Sequence, residues 1–432
     1  MPTRRSFLTV STLGAVAAAT GTAAAQPAPP PTSAPALPPS IAALTSMKSQ
    51  ARPITTEERA RRLEKARTLI ANTKLDALLL TGGASLGYFT SVRWWTSERF
   101  FGVVVPAKGE AFVVCPAFEE DRAREQLALG PLGAATVLTW HEHEDPYALV
   151  GQGLREGGIA TGRLGVEEST KFVFSDGIAK AAPALTLASG TPVTAGCRMV
   201  KDAHELELMR LAAAATLKAY EAAWRAITDG MAQAEFGRLV SLAHQQLGFQ
   251  GSASVQVGPY SALPHGSSAP QALREGSVLL IDGGCSVEGY VSDISRTFIV
   301  GRPTDEMRTV FDVVHRAQRA ALAAARPGVP CETVDAAARR VIDEAGFGPD
   351  YAYFTHRLGH GMGLEGHEWP YLVKGNTLPL APGMTFSNEP GIYLRGKFGV
   401  RLEDDMVITE DGADLFTPQS PSIEDPFGAQ RG

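Results

Sequence analysis

Cysteine is scarce in this chain. The four that occur, Cys115, Cys197, Cys285 and Cys331, are scattered over 432 residues, which rules out a densely stapled disulfide scaffold. No Cys-x-x-Cys spacing occurs, so a thiolate zinc site lacks its usual signature. An excess of positive charge is also missing. Lys plus Arg number 40 against 46 Asp plus Glu, for a formal net charge of -6, and such a surface offers no basic field for nucleic acid or anionic lipid. Past the first 25 residues no apolar run reaches the ~20 residues of a membrane span, so the mature protein is expected to be soluble. The length exceeds what one hydrophobic core usually supports, and two domains are expected.

The N-terminus has the composition of a targeting segment. MPTRRSFLTVSTLGAVAAATGTAAAQ joins the pair Arg4-Arg5 to an apolar run from Phe7 to Ala19, with Ala23 and Ala25 placed for a cut before Gln26. Residues 1–25 therefore read as a cleaved signal peptide. The order T-R-R-S-F-L resembles the twin-arginine signal, which implies export of a folded protein to the periplasm or beyond. Residues 26–50 open with QPAPPPTSAPALPPS and are expected to form a proline-rich, disordered tether.

From Thr55 or Thr56, either a candidate helix cap, the run EERARRLEKARTLIANTK places Leu63, Ala66 and Ile70 at helical spacing. Strand-like DALLLTG, FFGVVVP, AFVVCP and RLGVEE then alternate with helical EEDRAREQLA and FSDGIAKAAP, predicting a small α/β domain over 51–195. TPVTAGCRMV reads as a linker. A long amphipathic helix from KDAHELELMR opens a second domain, 200–425, in which helices alternate with SVLLIDGG, YVSDISRTFIV, MTFSNEPGIYL and RLEDDMVITED. The expectation is an α+β core built on an antiparallel sheet.

Carboxylates stand where that sheet should be apolar. Asp282 ends the run Val278–Ile281, and Asp293 lies eleven positions on in YVSDISRTF; intervening glycines permit two antiparallel strands to bring them together. Glu389 sits in TFSNEPGIY, and Glu403 interrupts the alternation of Val400, Leu402, Met406 and Ile408. His360 and His367 lie in RLGHGMGLEGHEWPY among four glycines. Taken singly, Asp282 could be a turn residue, His360 a core histidine and Glu403 an acidic strand end. Two carboxylates alone could also form a glycosidase pair. Asp282, Asp293, His360, Glu389 and Glu403 together are an oxygen-rich set suited to divalent manganese, cobalt, iron or zinc, and one cation would hardly neutralise four carboxylates.

The blocks IDGGCSVEGYVSDISRTF, HRLGHGMGLEGHE, TFSNEPGIY and RLEDDMVIT resemble, in order, those of the methionine aminopeptidase, aminopeptidase P and prolidase superfamily. They are most similar to its Xaa-Pro dipeptidase and aminopeptidase P branch, and the first domain more weakly resembles the creatinase-like N-terminal domain. The resemblance implies a pita-bread catalytic fold, two divalent metal ions (Mn2+ first, with Co2+, Zn2+ or Fe2+ as alternatives) and a homodimer. It implies metal ligation by Asp282, Asp293, His360, Glu389 and Glu403. It also makes Glu389 the proton carrier and places His367 and His265 beside the substrate. Arg401 would orient the carboxylates; Arg296 and Arg357 are further supporting or carboxylate-binding candidates. Met362, Leu364, Trp369 and Tyr371 are candidate pocket walls. The implied reaction is attack by a hydroxide held between the two cations on an Xaa-Pro bond of a dipeptide or short peptide. The fourteen-residue interval from Glu389 to Glu403 is compact, as in the shorter prolidase type. All five ligand positions are present, unlike in creatinase. Aminopeptidase P action on longer peptides, organophosphate or amide hydrolysis, and a binding protein that kept the fold are the alternatives.

Overall fold

The computed structural model describes residues 36–429; the expected signal peptide and the first part of the tether lie outside them. The rest of the tether differs from expectation. Pro39–Ala42 form a short helix, Ser40 Oγ donates to the carbonyl of Ala222 at 2.7 Å, and Met47 N donates to the carbonyl of Leu247 at 2.8 Å. Ile41, Met47 and Ile54 are buried in the same core as the helix Ala203–Arg225. The physical reason is that prolines thin out after Pro39 and apolar side chains take their place. Burying each such side chain contributes about 1.5–3 kcal/mol, enough to hold a strap against the fold.

The first domain is a mixed sheet of β1 (Ala77–Leu80), β2 (Gly102–Pro106), β3 (Phe112–Pro116), β4 (Thr136–Trp140), β5 (Gly162–Val166) and β6 (Leu185–Ser189). The strand order is β4-β3-β2-β1-β5-β6, and only β2 runs against its neighbours. Strands 1 to 3 are continuous apolar runs because helices cover both faces. Leu78 and Leu80 pack toward the helix Thr56–Asn72, whereas Ala77 and Leu79 pack toward the helices Pro146–Glu156 and Phe172–Ala181. Thr55 caps the first of these helices in a capping box with Glu58. The expected linker is instead a helix, Thr191–Arg198, whose Val193 and Cys197 are fully buried. Their four-residue separation puts both on one face.

The second domain has two halves. In one, the helices Ala203–Arg225 and Gln233–Leu247 pack on an antiparallel sheet of β7 (Gln250–Val257), β8 (Val278–Val287) and β10 (Ile294–Ile299), with the short β9 (Tyr290–Val291) beside β8. In the other, the helices Asp305–Ala324 and Cys331–Glu344 cover β11 (Gly359–Gly361), β12 (Glu368–Leu372), β13 (Thr385–Asn388), β16 (Asp404–Ile408) and β17 (Ala413–Leu415), ordered β12-β11-β13-β16-β17. A hairpin of β14 (Gly391–Leu394) and β15 (Phe398–Arg401) extends this half. The halves are joined through their sheets: Thr297 Oγ1 donates to the carbonyl of Arg401 at 2.8 Å, and Glu403 N donates to the carbonyl of Ser295 at 3.2 Å. This is the pita-bread arrangement, and its seam is where the carboxylates collect. No helix among the described residues is long and apolar enough to cross a membrane.

Candidate active site

Strand register brings the first two carboxylates together. In the antiparallel pair of β8 and β10, Ser295 faces Asp282 and Ile294 faces Gly283, with Asp293 immediately ahead of β10. The chain returns this tightly only because Gly284 has no side chain: a Cβ there would stand 1.8 Å from the carbonyl oxygen of Ser292.

The second pair of carboxylates sits at a break between two ladders. Strands β13 and β16 pair up to Asn388 opposite Asp404, and β14 and β15 resume with Gly391 opposite Arg401. Glu389-Pro390 and Leu402-Glu403 occupy the gap. Pro390 has no N–H to continue the ladder, so the strands part there, and the side chains of Glu389 and Glu403 turn into the seam. His360 comes from the short strand β11, between β12 and β13, where Ser387 Oγ accepts its backbone N–H at 3.0 Å.

These side chains line one cavity of about 250 Å³ together with His265, His356, Arg357, His367 and Arg401. Donor atoms of Asp282, Asp293 and Glu403 all lie within 4.8 Å of one another. So do those of His360, Glu389 and Glu403, and those of Asp293, His360 and His367. The first two groups share Glu403, the arrangement of a dinuclear centre. His360 Nδ1 faces the carbonyl of Gly361 at 3.2 Å. A carbonyl can only accept, so the ring proton belongs on Nδ1, leaving the Nε2 lone pair 3.4 Å from Glu389 Oε1 and 3.8 Å from Asp293 Oδ2.

Electrostatics gives the same answer. Burial, reinforced by Glu403, pushes Asp293 and Glu389 well above the usual carboxylate range, and burial with Asp282 raises Glu403 to about 8. Burial and neighbouring His367 lower His360 to about 3. Four carboxylates and a neutral imidazole nitrogen thus face one another, and among the described residues Arg401 is the one guanidinium paired with them, through Asp282 Oδ2 at 2.7 Å. Two divalent cations fit this donor set in both charge and chemistry.

A supporting layer holds the carboxylates, and part of it was not foreseen from the sequence. Ser295 Oγ donates to Glu403 Oε2 at 2.6 Å, lies 3.0 Å from Asp282 Oδ1, and accepts from Arg401 Nε at 3.0 Å. Arg401 Nη1 donates to the hydroxyl of Tyr393 at 3.0 Å. His356 stands one residue before Arg357 and was legible in the same histidine-rich stretch; Ser295 and Tyr393 carried no distinguishing signal. Arg296 lies outside the cavity and fully buried, donating to the carbonyl of Glu403 at 2.8 Å and to Asp404 Oδ1 at 2.7 Å. It supports the backbone at Glu403 and does not line the cavity. Of the expected wall residues, Met362 is core, whereas Tyr371 lies beneath the guanidinium of Arg357 at 4.2 Å. Trp369 and Leu364 line two neighbouring cavities.

Residues 207–410 match the metallopeptidase family M24, and residues 62–200 match the creatinase/prolidase N-terminal domain. A probable dipeptidase PepE of Mycobacterium tuberculosis is 39% identical over 360 residues, covering 82% of this chain and 93% of that protein. An Xaa-Pro dipeptidase of Lactobacillus delbrueckii subsp. lactis is 31% identical over 371 residues, covering 84% and 98%. The crystal structure of dipeptidase PepE from Mycobacterium ulcerans superposes with a TM-score of 0.81 at 35% identity, covering 86% of this chain and 99% of that one. With its carboxylates and histidine gathered at the seam of a pita-bread fold, this chain belongs to metallopeptidase family M24 and carries a creatinase/prolidase N-terminal domain.

Proposed function

We propose that this metallopeptidase is an exported Xaa-Pro dipeptidase that works with two divalent cations, Mn2+ foremost, held by Asp282, Asp293, His360, Glu389 and Glu403. The observation that carries the reading is the composition of one small cavity. It sets the donor cluster beside Arg357, a guanidinium with no ion-pair partner among the described residues. A dipeptide needs both: a hydrolytic centre at its amide and a cation for the carboxylate that follows proline directly. That the similar proteins reported above bear the names dipeptidase, Xaa-Pro dipeptidase and probable dipeptidase supports the same choice.

Bound cations supply Lewis acidity, which acidifies water and polarises a carbonyl. The chain's own residues do the rest. Glu389, whose Oε1 accepts from Ser387 Oγ at 3.3 Å, is positioned to take the proton of the attacking water and deliver it to the prolyl nitrogen. His367, stacked on His360 with ring centroids 3.8 Å apart, donates to the oxygen on which charge develops. His265, at the rim beside Pro264, positions the main chain of the substrate. Arg357 holds its carboxylate.

His356 and Tyr393 keep Arg401 in place. His356 Nδ1 faces the carbonyl of Arg357 at 2.8 Å, so the proton is on Nδ1 and Nε2 accepts from the Tyr393 hydroxyl at 2.7 Å. Burial followed by Arg401 lowers His356 to about 3, which keeps that acceptor neutral.

A panel of Ala-Pro, Ala-Pro-Ala and Ala-Pro-amide, presented to protein reconstituted separately with Mn2+, Co2+, Zn2+ and Fe2+, tests the reading. Cleavage of Ala-Pro alone is expected, fastest with Mn2+; cleavage of the tripeptide but not the dipeptide would make the enzyme an aminopeptidase P. Export rests on Arg4-Arg5, and replacing both with lysine should leave the precursor in the cytoplasm. The homodimer is part of the same proposal and is checked by light scattering.

A further inference from the structure

His367 forms a wall of two cavities. Beyond it lies a recess of about 110 Å³ between the domains, lined by Glu167, Glu168, Glu365, Glu368, Arg198 and Trp369. Glu167 is the first residue after β5, so the recess opens at the carboxyl end of that strand, whose neighbours β1 and β6 run parallel to it. That edge is where open α/β sheets receive ligands.

Glu167 is the unusual member. It is only 6% exposed, and its Oε2 has no hydrogen-bond partner. A buried carboxylate oxygen without a donor is unfavourable and calls for an explanation. Burial raises its pKa despite the opposing pull of Ser85 and Arg198. The other acids are engaged: Glu168 accepts from Trp369 Nε1 at 3.0 Å, Glu365 accepts from Arg198 Nη2 at 2.6 Å, and Glu368 pairs with Arg198 and with Lys201 at 3.3 Å. Four carboxylates therefore stand against two cations, Arg198 and Lys201. Glu168, Glu365 and Trp369 are exposed at the mouth of the recess, and Glu167 lines it beneath them.

We propose that this recess is the subsite for a basic side chain on the residue before the scissile bond. The ammonium or guanidinium group passes His367 and donates to Glu167 Oε2, with Glu168 and Glu365 at the mouth. The inference rests on the Xaa-Pro reading and gives it a substrate class: Lys-Pro and Arg-Pro ahead of uncharged dipeptides of equal length. Norleucine-Pro matches Lys-Pro in its chain but lacks the charge, so the pair isolates the proposed contact.

Calorimetry on the metal-loaded, full-length Glu389→Gln protein, completed before its slowed turnover consumes the peptide, measures the affinity of each dipeptide. Lys-Pro should bind about 10- to 100-fold tighter than norleucine-Pro, the range of a charge-assisted hydrogen bond. Adding Glu167→Gln should bring that ratio down toward one. Equal affinities for the two peptides, or a Glu167→Gln change that lowers Tm while leaving the ratio intact, would overturn the subsite. If Glu167→Gln does not fold, Glu168→Gln and the ratio in the parent protein decide. Cleavage of norleucine-Pro without preference for Lys-Pro refutes this inference and leaves the dipeptidase reading standing. Failure to cleave any Xaa-Pro peptide refutes that reading, and the binding ratio still judges the recess.

Discussion

The hydroxyl of Tyr393 stands 2.7 Å from Nε2 of His356 and accepts from Arg401 Nη1 at 3.0 Å, linking the cavity rim to the guanidinium that pairs with Asp282. Partners of this kind orient the groups that hold a metal, and removing one typically costs 10- to 100-fold in affinity or activity. Tyr393→Phe should lower kcat for Ala-Pro by about that factor while two metal equivalents per chain persist in elemental analysis. Wild-type turnover would mean that the chain of contacts does not serve the reaction.

Glu389 carries a heavier burden because the proposal makes it both a metal ligand and the proton carrier. Glu389→Gln keeps the shape of the side chain and removes the proton acceptor. General acid-base groups contribute about 10²- to 10⁴-fold, so kcat should fall by that range with KM little changed. Normal turnover in the purified, metal-loaded variant would reject the assignment.

The proposed role of Arg357 is to distinguish a dipeptide from a longer peptide. A hydrogen bond to a charged group contributes about 1.5–3 kcal/mol, which converts to about a 10- to 150-fold rise in KM for Ala-Pro in Arg357→Ala. The inhibition constant of uncleaved Ala-Pro-amide, which already lacks the carboxylate charge, should respond far less. Equal loss on both peptides would assign the guanidinium a structural role against Tyr371.

The metal-free site sets a pH dependence whose sign follows from Glu403. Unfolded, this carboxyl titrates near the ordinary 4.5; folded, it holds its proton up to about 8, because burial and Asp282 disfavour the charge. Between those values the folded state binds more protons, so stability of the metal-free protein falls as pH rises. Divalent cations replace those protons and reverse the penalty. Calorimetric scans should therefore show Mn2+ raising Tm more at about pH 8 than at about pH 5, and a constant increment would contradict the account.

How much of this was legible in the sequence depends on what each residue faces. Strands β1, β2 and β3 are buried on both sides, so ALLL, GVVVP and FVVCP are unbroken apolar runs that stand out unaided. The edge strands β4 and β6, TVLTW and LTLAS, are partly exposed and carry threonines, so neither run declares itself. The clustered carboxylates were readable because a carboxylate amid Val, Leu and Ile violates the local pattern. Ser295 and Tyr393 violate nothing: a hydroxyl is at home in a strand, and only the fold shows that theirs meet Glu403 and Arg401. The balance of Glu167 against Arg198 was equally hidden, since it is set by two domains meeting.

The strap over residues 38–50 supplies a separate test, because a tether and a packed segment respond oppositely to the same change. Ile41 is fully buried against the helices Ala203–Arg225 and Gln233–Leu247, and Ser40 and Met47 tie the backbone on either side of it. Deleting a buried isoleucine side chain costs about 2–5 kcal/mol when the surroundings cannot collapse into the space. In a free tether the same substitution would fall within about 0.5 kcal/mol of zero. Ile41→Ala should therefore move the urea midpoint downward with an unchanged m-value, as expected when native packing is lost and the unfolded chain is not altered. Because Ile41 lies outside the metal cavity, kcat on Ala-Pro should stay near wild type under conditions where the variant is folded. A midpoint that does not move would return residues 38–50 to the status of a linker.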